Sequence, residues 1–167
     1  MKAIINTGIA GSLRNEINIG DIVLSKDALQ HDMDATGFGY KLGQIPQMDH
    51  SVFEGDNRMI ELAKECCKEV VPEIGVHVGR VVSGDQFISD KAKKAWLIKT
   101  FEGYCTEMEG AAIAQTAELN HVPFLIIRAI SDKADDSAIV SYEEFEEKAI
   151  ENSVKLVKEL VQRLELS

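Results

Sequence analysis

"VPFLIIRAISD", residues 122–132, decides the fold. The stretch is too apolar to face water on either side, so it reads as a strand buried within a sheet. "EGAAIAQTAELN" (109–120) precedes it and reads as a helix, its small residues letting it lie close to the sheet. A long amphipathic helix follows at 142–165, with Phe145, Ala149, Val154, Val157, Val161 and Leu164 as its stripe. Ser141 and Glu144 form an S-x-x-E capping box at its start.

The same alternation extends toward the N-terminus. "AIINTG" (3–8) reads as a buried strand ending at Gly8, and "DIVLSKDAL" (21–29) as a second. "DNRMIELAKECCKEVV" (56–71) is helical, with Met59, Leu62, Ala63, Cys66, Cys67 and Val70 on one face. "GVHVGRVVSGD" (75–85) is a strand closed by a turn signal, and "DKAKKAWLIKTF" (90–101) a short helix. Strands and helices in this order predict an α/β layer fold around a central sheet. Residues 31–55 form the one long irregular stretch, and such loops usually serve a function or contact a partner.

Bulk properties narrow the class. A chain of 167 residues fits a single domain spanning 1–167. It is long enough to bury roughly 70% of its unfolded surface. A net charge of −10 argues against nucleic acid or an anionic membrane as the main partner. No apolar run approaches the roughly 20 residues of a membrane helix. "MKAIINTG" lacks the apolar segment of a signal peptide. Cys66, Cys67 and Cys105 are odd in number and read as reduced thiols, which predicts a cytoplasmic protein. The scattered histidines and cysteines have no zinc spacing, and no metal or other cofactor is expected.

In open α/β sheets ligands bind beyond the carboxyl ends of the strands. Four such ends are visible, "NTGIAG", "VVSGDQFIS", "TEMEG" and "RAISDKAD", and three of them have two readings. In "NTGIAGSL", Gly8 and Gly11 either let the backbone approach a ligand or make a strand-to-loop turn. Neither a dinucleotide fingerprint nor a Walker loop is present. In "TEMEGAAIAQ", Glu109 is either a first-turn helix glutamate or a carboxylate that accepts bonds from two vicinal hydroxyls. Met108 would then be a soft wall against a sugar. In "RAISDKAD", Asp132 either caps a turn or is a buried acid with a raised pKa, able to donate a proton. Arg128, if it points inward, needs an anionic partner, which also predicts a charged pocket.

Taken in order, "INTGIAGSL", "SGDQFIS", "EMEGAAIA" and "RAISDKAD", with the loop "HDMDATGFGYKLGQIPQM", resemble the nucleoside phosphorylase family. More narrowly, they resemble its 5′-methylthioadenosine/S-adenosylhomocysteine nucleosidases. The resemblance covers nearly the whole chain. It implies a three-layer α/β sandwich around a mixed sheet, a homodimer, a small nucleoside as substrate, and hydrolysis of the adenine–ribose bond. By resemblance, Asp132 protonates adenine N7 and Glu109 holds the ribose hydroxyls, with Met108 against the sugar. Phe87 stacks on adenine, Ile88 reads the base edge through its backbone, and Gly11 makes a backbone contact. Ser131 and Arg128 complete the substrate site. Phe38 and Pro46 are lent to the neighbouring subunit's 5′-alkylthio pocket. Glu107 receives no role.

Phosphorylases of this fold tend to carry an arginine in the first glycine loop, whereas Asn6–Gly11 has no positive charge, which favours water over phosphate. Ile9 departs from the small polar residue that many nucleosidases carry there. A purine nucleoside phosphorylase and a non-catalytic nucleoside-binding domain stay open as alternatives. Family members also carry several dozen residues before "INTG", including a sheet strand and a glutamate that activates water. The resemblance therefore implies an N-terminally truncated fold with weak or no activity. Full-rate adenine release would overturn that expectation.

Overall fold

The computed structural model describes residues 2–166, with the backbone alone for 139–144, 146, 148, 149 and 166. Its strands are β1 (Ile4–Ser12), β2 (Ile22–Gln30), β3 (Phe53–Glu54), β4 (Val76–Ser83), β5 (Cys105–Glu107) and β6 (Phe124–Asp132). Its helices are α1 (Asn57–Val70), α2 (Lys91–Phe101), α3 (Gly110–Leu119) and α4 (Ala138–Leu166). Asp56 and Asp90 start α1 and α2 by accepting the Met59 and Lys93 amides at 2.8 and 2.7 Å.

The sheet runs β3-β2-β4-β5-β1-β6 and is mixed. β1 lies parallel to β6, and β4 parallel to both β2 and β5. β1–β5 and β2–β3 are antiparallel. β6 also pairs antiparallel with β2 over Ala129–Ile127, so the sheet curls back on itself.

All nine residues of β6 are buried, and their alternation builds the layers. Leu125 and Ile127 join Ile22 and Leu24 of β2 under α1 and α4, against Met59, Ala63, Leu156 and Leu160. Ile126 and Ile130 join Val23 on the opposite face, against Ala111, Ala114 and Ala117 of α3. α2 closes one end, where Leu97 and Phe101 meet Leu13, Leu29 and Val82. The result is the expected three-layer sandwich around a mixed sheet.

Three local expectations are corrected. β1 does not end at Gly8 but continues to Ser12, because its register with β6 runs on through Gly8↔Arg128 to Gly11↔Asp132. The stripe of α4 is also displaced. Among its described residues beyond Ala138, Leu156 and Leu160 are fully buried, with Val157 and Leu164 packed beside them, while Val154 and Val161 are exposed. Residues 156, 157, 160 and 164 share one face at helical spacing, and 154 and 161 fall outside it. The helix begins at Ala138, earlier than 142. The side chains of Ser141, Glu144 and Ala149 lie outside the described residues. Within the loop 31–55 a short 3₁₀ turn covers Thr36–Phe38 and the edge strand β3 closes it. Among the described residues no helix is long and apolar enough to cross a membrane.

Candidate active site

The carboxyl ends of β1, β4, β5 and β6 open into one cavity of about 520 Å³. Gly11, Phe87, Ile88, Met108, Glu109, Arg128, Ser131 and Asp132 all line it. Phe38 and Pro46 do not; they sit on the loop after β2, where Phe38 is 88% exposed. Among the described residues no group of acids, histidines and cysteines could hold a metal ion.

At one end is Asp132, the last residue of β6 and 2% exposed. Ser131 Oγ donates to its Oδ2 at 2.9 Å, and the Ala134 amide donates to its Oδ1 at 2.7 Å. Burial pushes its carboxyl above the usual carboxylate range, and these two hydrogen bonds pull only partly the other way. Both readings of Asp132 thus coexist: it holds the turn after β6 and it is a desolvated acid. A side chain on Gly11 would place a Cβ 2.7 Å from Asp132 Oδ1 and 2.9 Å from Ala134 Cβ. Glycine is required there so that β1 can pass beside the acid.

At the other end is a charged cluster. Arg128 points inward from β6 and is 3% exposed. Its Nη2 pairs with Glu107, donates to Asn6 Oδ1 at 2.6 Å, and lies 3.7 Å from Glu109 Oε2. A Cβ on Gly8 would fall 2.0 Å from Arg128 Nη1, so Gly8 makes room for the guanidinium instead of making a turn. Glu107 is also buried. It accepts the Gly110 amide at 2.8 Å, the Glu109 amide at 3.2 Å, and the Ser83 hydroxyl.

This arrangement separates two roles that the sequence leaves merged. Glu109 stands at the N-cap position of α3, yet its side chain makes no capping bond. The carboxylate that satisfies the free amides of α3 is Glu107, reaching in from β5. Glu109 is left with its side chain 63% exposed at the cavity wall. Phe87, 50% exposed, and Met108, 43% exposed, also line the cavity, together with the buried Ile88.

Sequence reasoning missed Asn6, Ser83 and Glu107. Glu107 stands in the quoted "TEMEG" and Ser83 in "VVSGD", but neither forms a motif alone. What joins them is the pairing of β4 with β5, which sets Ser83 opposite Glu107. That register is not written in either segment.

Comparison with known proteins gives consistent matches. The family model of the phosphorylase superfamily matches residues 1–162. A curated 5′-methylthioadenosine/S-adenosylhomocysteine nucleosidase from an Exiguobacterium species is 42% identical over 163 residues, covering 97% of this chain and 69% of that protein. Among solved structures, the nucleosidase of the same name from Neisseria meningitidis, in complex with methylthio-immucillin-A, superposes with a TM-score of 0.91. It is 41% identical, with 97% of this chain and 70% of that one covered. The S-adenosylhomocysteine nucleosidase of Streptococcus pyogenes, in complex with methylthiotubercidin, gives a TM-score of 0.89. It is 33% identical, with 98% and 68% covered.

Proposed function

The chain belongs to the phosphorylase superfamily, and on that premise we propose that it hydrolyses the N-glycosidic bond of 5′-methylthioadenosine and S-adenosylhomocysteine. The products are adenine and the thio-substituted ribose. The observation that carries this reading is that Asp132 and Glu109 line the same cavity, one buried and the other at the wall.

Adenine leaves poorly as an anion, and a proton on N7 lets it depart neutral. Asp132 fits the donor because burial favours its protonated form. As the bond breaks, the sugar becomes oxocarbenium-like and gains positive charge. Glu109, accepting hydrogen bonds from the ribose hydroxyls, stabilises that charge. Phe87 offers a ring face for the base and Met108 an apolar wall for the sugar. Ile88, Gly11, Ser131 and Arg128 complete the pocket. We further infer that the chain works as a single domain in the cytoplasm and as a homodimer. The exposed Phe38, with Pro46, would then reach the neighbouring subunit's 5′-alkylthio site.

Water is favoured over phosphate as the acceptor. Among the described residues Arg128 is the only cation lining the cavity, and it already faces Glu107 and Glu109. A phosphate dianion would meet an excess of carboxylates there. The test is product analysis after incubation with methylthioadenosine. The expected result is adenine with free methylthioribose, at a rate unchanged by added phosphate. Acceleration by phosphate with formation of the sugar phosphate would make the chain a phosphorylase.

A further inference from the structure

Glu107 is a buried carboxylate that lines the cavity and that the proposed chemistry leaves unused. It ends β5, two residues before Glu109. Its oxygens take the Ser83 hydroxyl, the amides of Glu109 and Gly110, and the Arg128 guanidinium. Ser83 Oγ in turn accepts the Ala111 amide at 2.7 Å, so three successive amides at the start of α3 are tied to one network. Among the described residues Arg128 has two carboxylate neighbours, Glu107 in direct contact and Glu109 at 3.7 Å. A buried guanidinium without a carboxylate is costly. With Glu107 gone, Glu109 is the carboxylate left to Arg128, and pairing would draw it off the cavity wall.

We propose that Glu107 is a positioning residue: by holding Arg128 and the first turn of α3, it keeps the Glu109 carboxylate free for the sugar hydroxyls. The proposal deepens the nucleoside reading and rests on it. Its effect is selective. Loss of Glu107 weakens recognition of the sugar and leaves the base end, built from Phe87, Ile88 and Asp132, unchanged.

The test compares two probes by calorimetry on the 167-residue chain. Adenine reports the base end alone. Methylthiotubercidin carries the sugar but lacks N7, so protonation there cannot cleave it. Glu107→Gln turns an acceptor of amides and guanidinium into a partial donor. It is expected to weaken methylthiotubercidin binding about tenfold or more while leaving adenine within about twofold. In a Glu109→Gln background the same substitution should change analogue binding by less than about twofold, because its route is already cut. Equal loss of both probes, or an undiminished effect in the Glu109→Gln background, overturns the proposal.

If Glu107→Gln does not fold, Ser83→Ala carries the test. It predicts a loss of several-fold, on the order of that for one buried hydrogen bond, for the analogue alone. Equal loss for adenine overturns the proposal here too. The functional reading fails separately. A wild-type chain that shows this binding pattern but releases no adenine from methylthioadenosine overturns hydrolysis and leaves the role of Glu107 standing. A wild-type chain that binds the analogue no better than adenine has no sugar site to position, and overturns the proposal itself.

Discussion

The two ends of the cavity treat carboxylates in opposite ways. At the end proposed to take the base, Asp132 is buried and accepts from a hydroxyl and an amide, it makes no ion pair among the described residues, and burial holds its carboxyl above the usual range. At the end proposed to take the sugar, Glu107 and Glu109 share Arg128. One end leaves a buried carboxyl whose protonated form burial favours. The other sets one guanidinium beside two carboxylates. The fold thus places like side chains in unlike surroundings, one desolvated and the others beside a cation.

The largest effect should come from taking the cation out of the sugar end. Arg128→Met leaves Glu107 buried without its partner, and breaking such a pair costs about 3–5 kcal/mol. Urea denaturation is the measurement. A loss within about 0.5 kcal/mol, as for an ordinary surface site, would mean the pair is not a structural anchor.

The opposite sign is expected at the base end, and a smaller size. A raised pKa means the folded chain holds the Asp132 proton more tightly than the unfolded chain does. Asp132 therefore lowers stability as pH rises from its unfolded value, near 3.9, through its higher folded value. Asp132→Asn removes that charge. The variant should melt slightly above wild type at pH 7, and the gap should close as the pH falls below about 4. A variant less stable than wild type at neutral pH would contradict the assignment of a desolvated acid.

Much of this fold was legible because β6 is apolar at every core position and its neighbours keep helical or strand periodicity. Where periodicity was ambiguous, reading failed. In "INTGIAGS" two glycines look like a turn, but they are there because Arg128 and Asp132 of the adjacent strand occupy the space of their side chains. In α4, valines occur around more than one face, so the sequence does not say which of them meets the sheet; Leu156 and Leu160 do. The site divides similarly. Asp132 ends a strand and Glu109 follows one, and both draw notice as polar residues beside apolar or small ones. Ser83, Asn6 and Glu107 acquire meaning only from strand pairing and from the inward turn of Arg128, which are properties of the assembled sheet.

The claim that a buried acid lets the base leave is tested most directly by the rate of adenine release from 5′-methylthioadenosine in wild type and in Asp132→Asn. The account predicts a fall of about 100-fold or more, the usual worth of a general acid, with adenine still bound by the variant. Equal rates in the two proteins would contradict it.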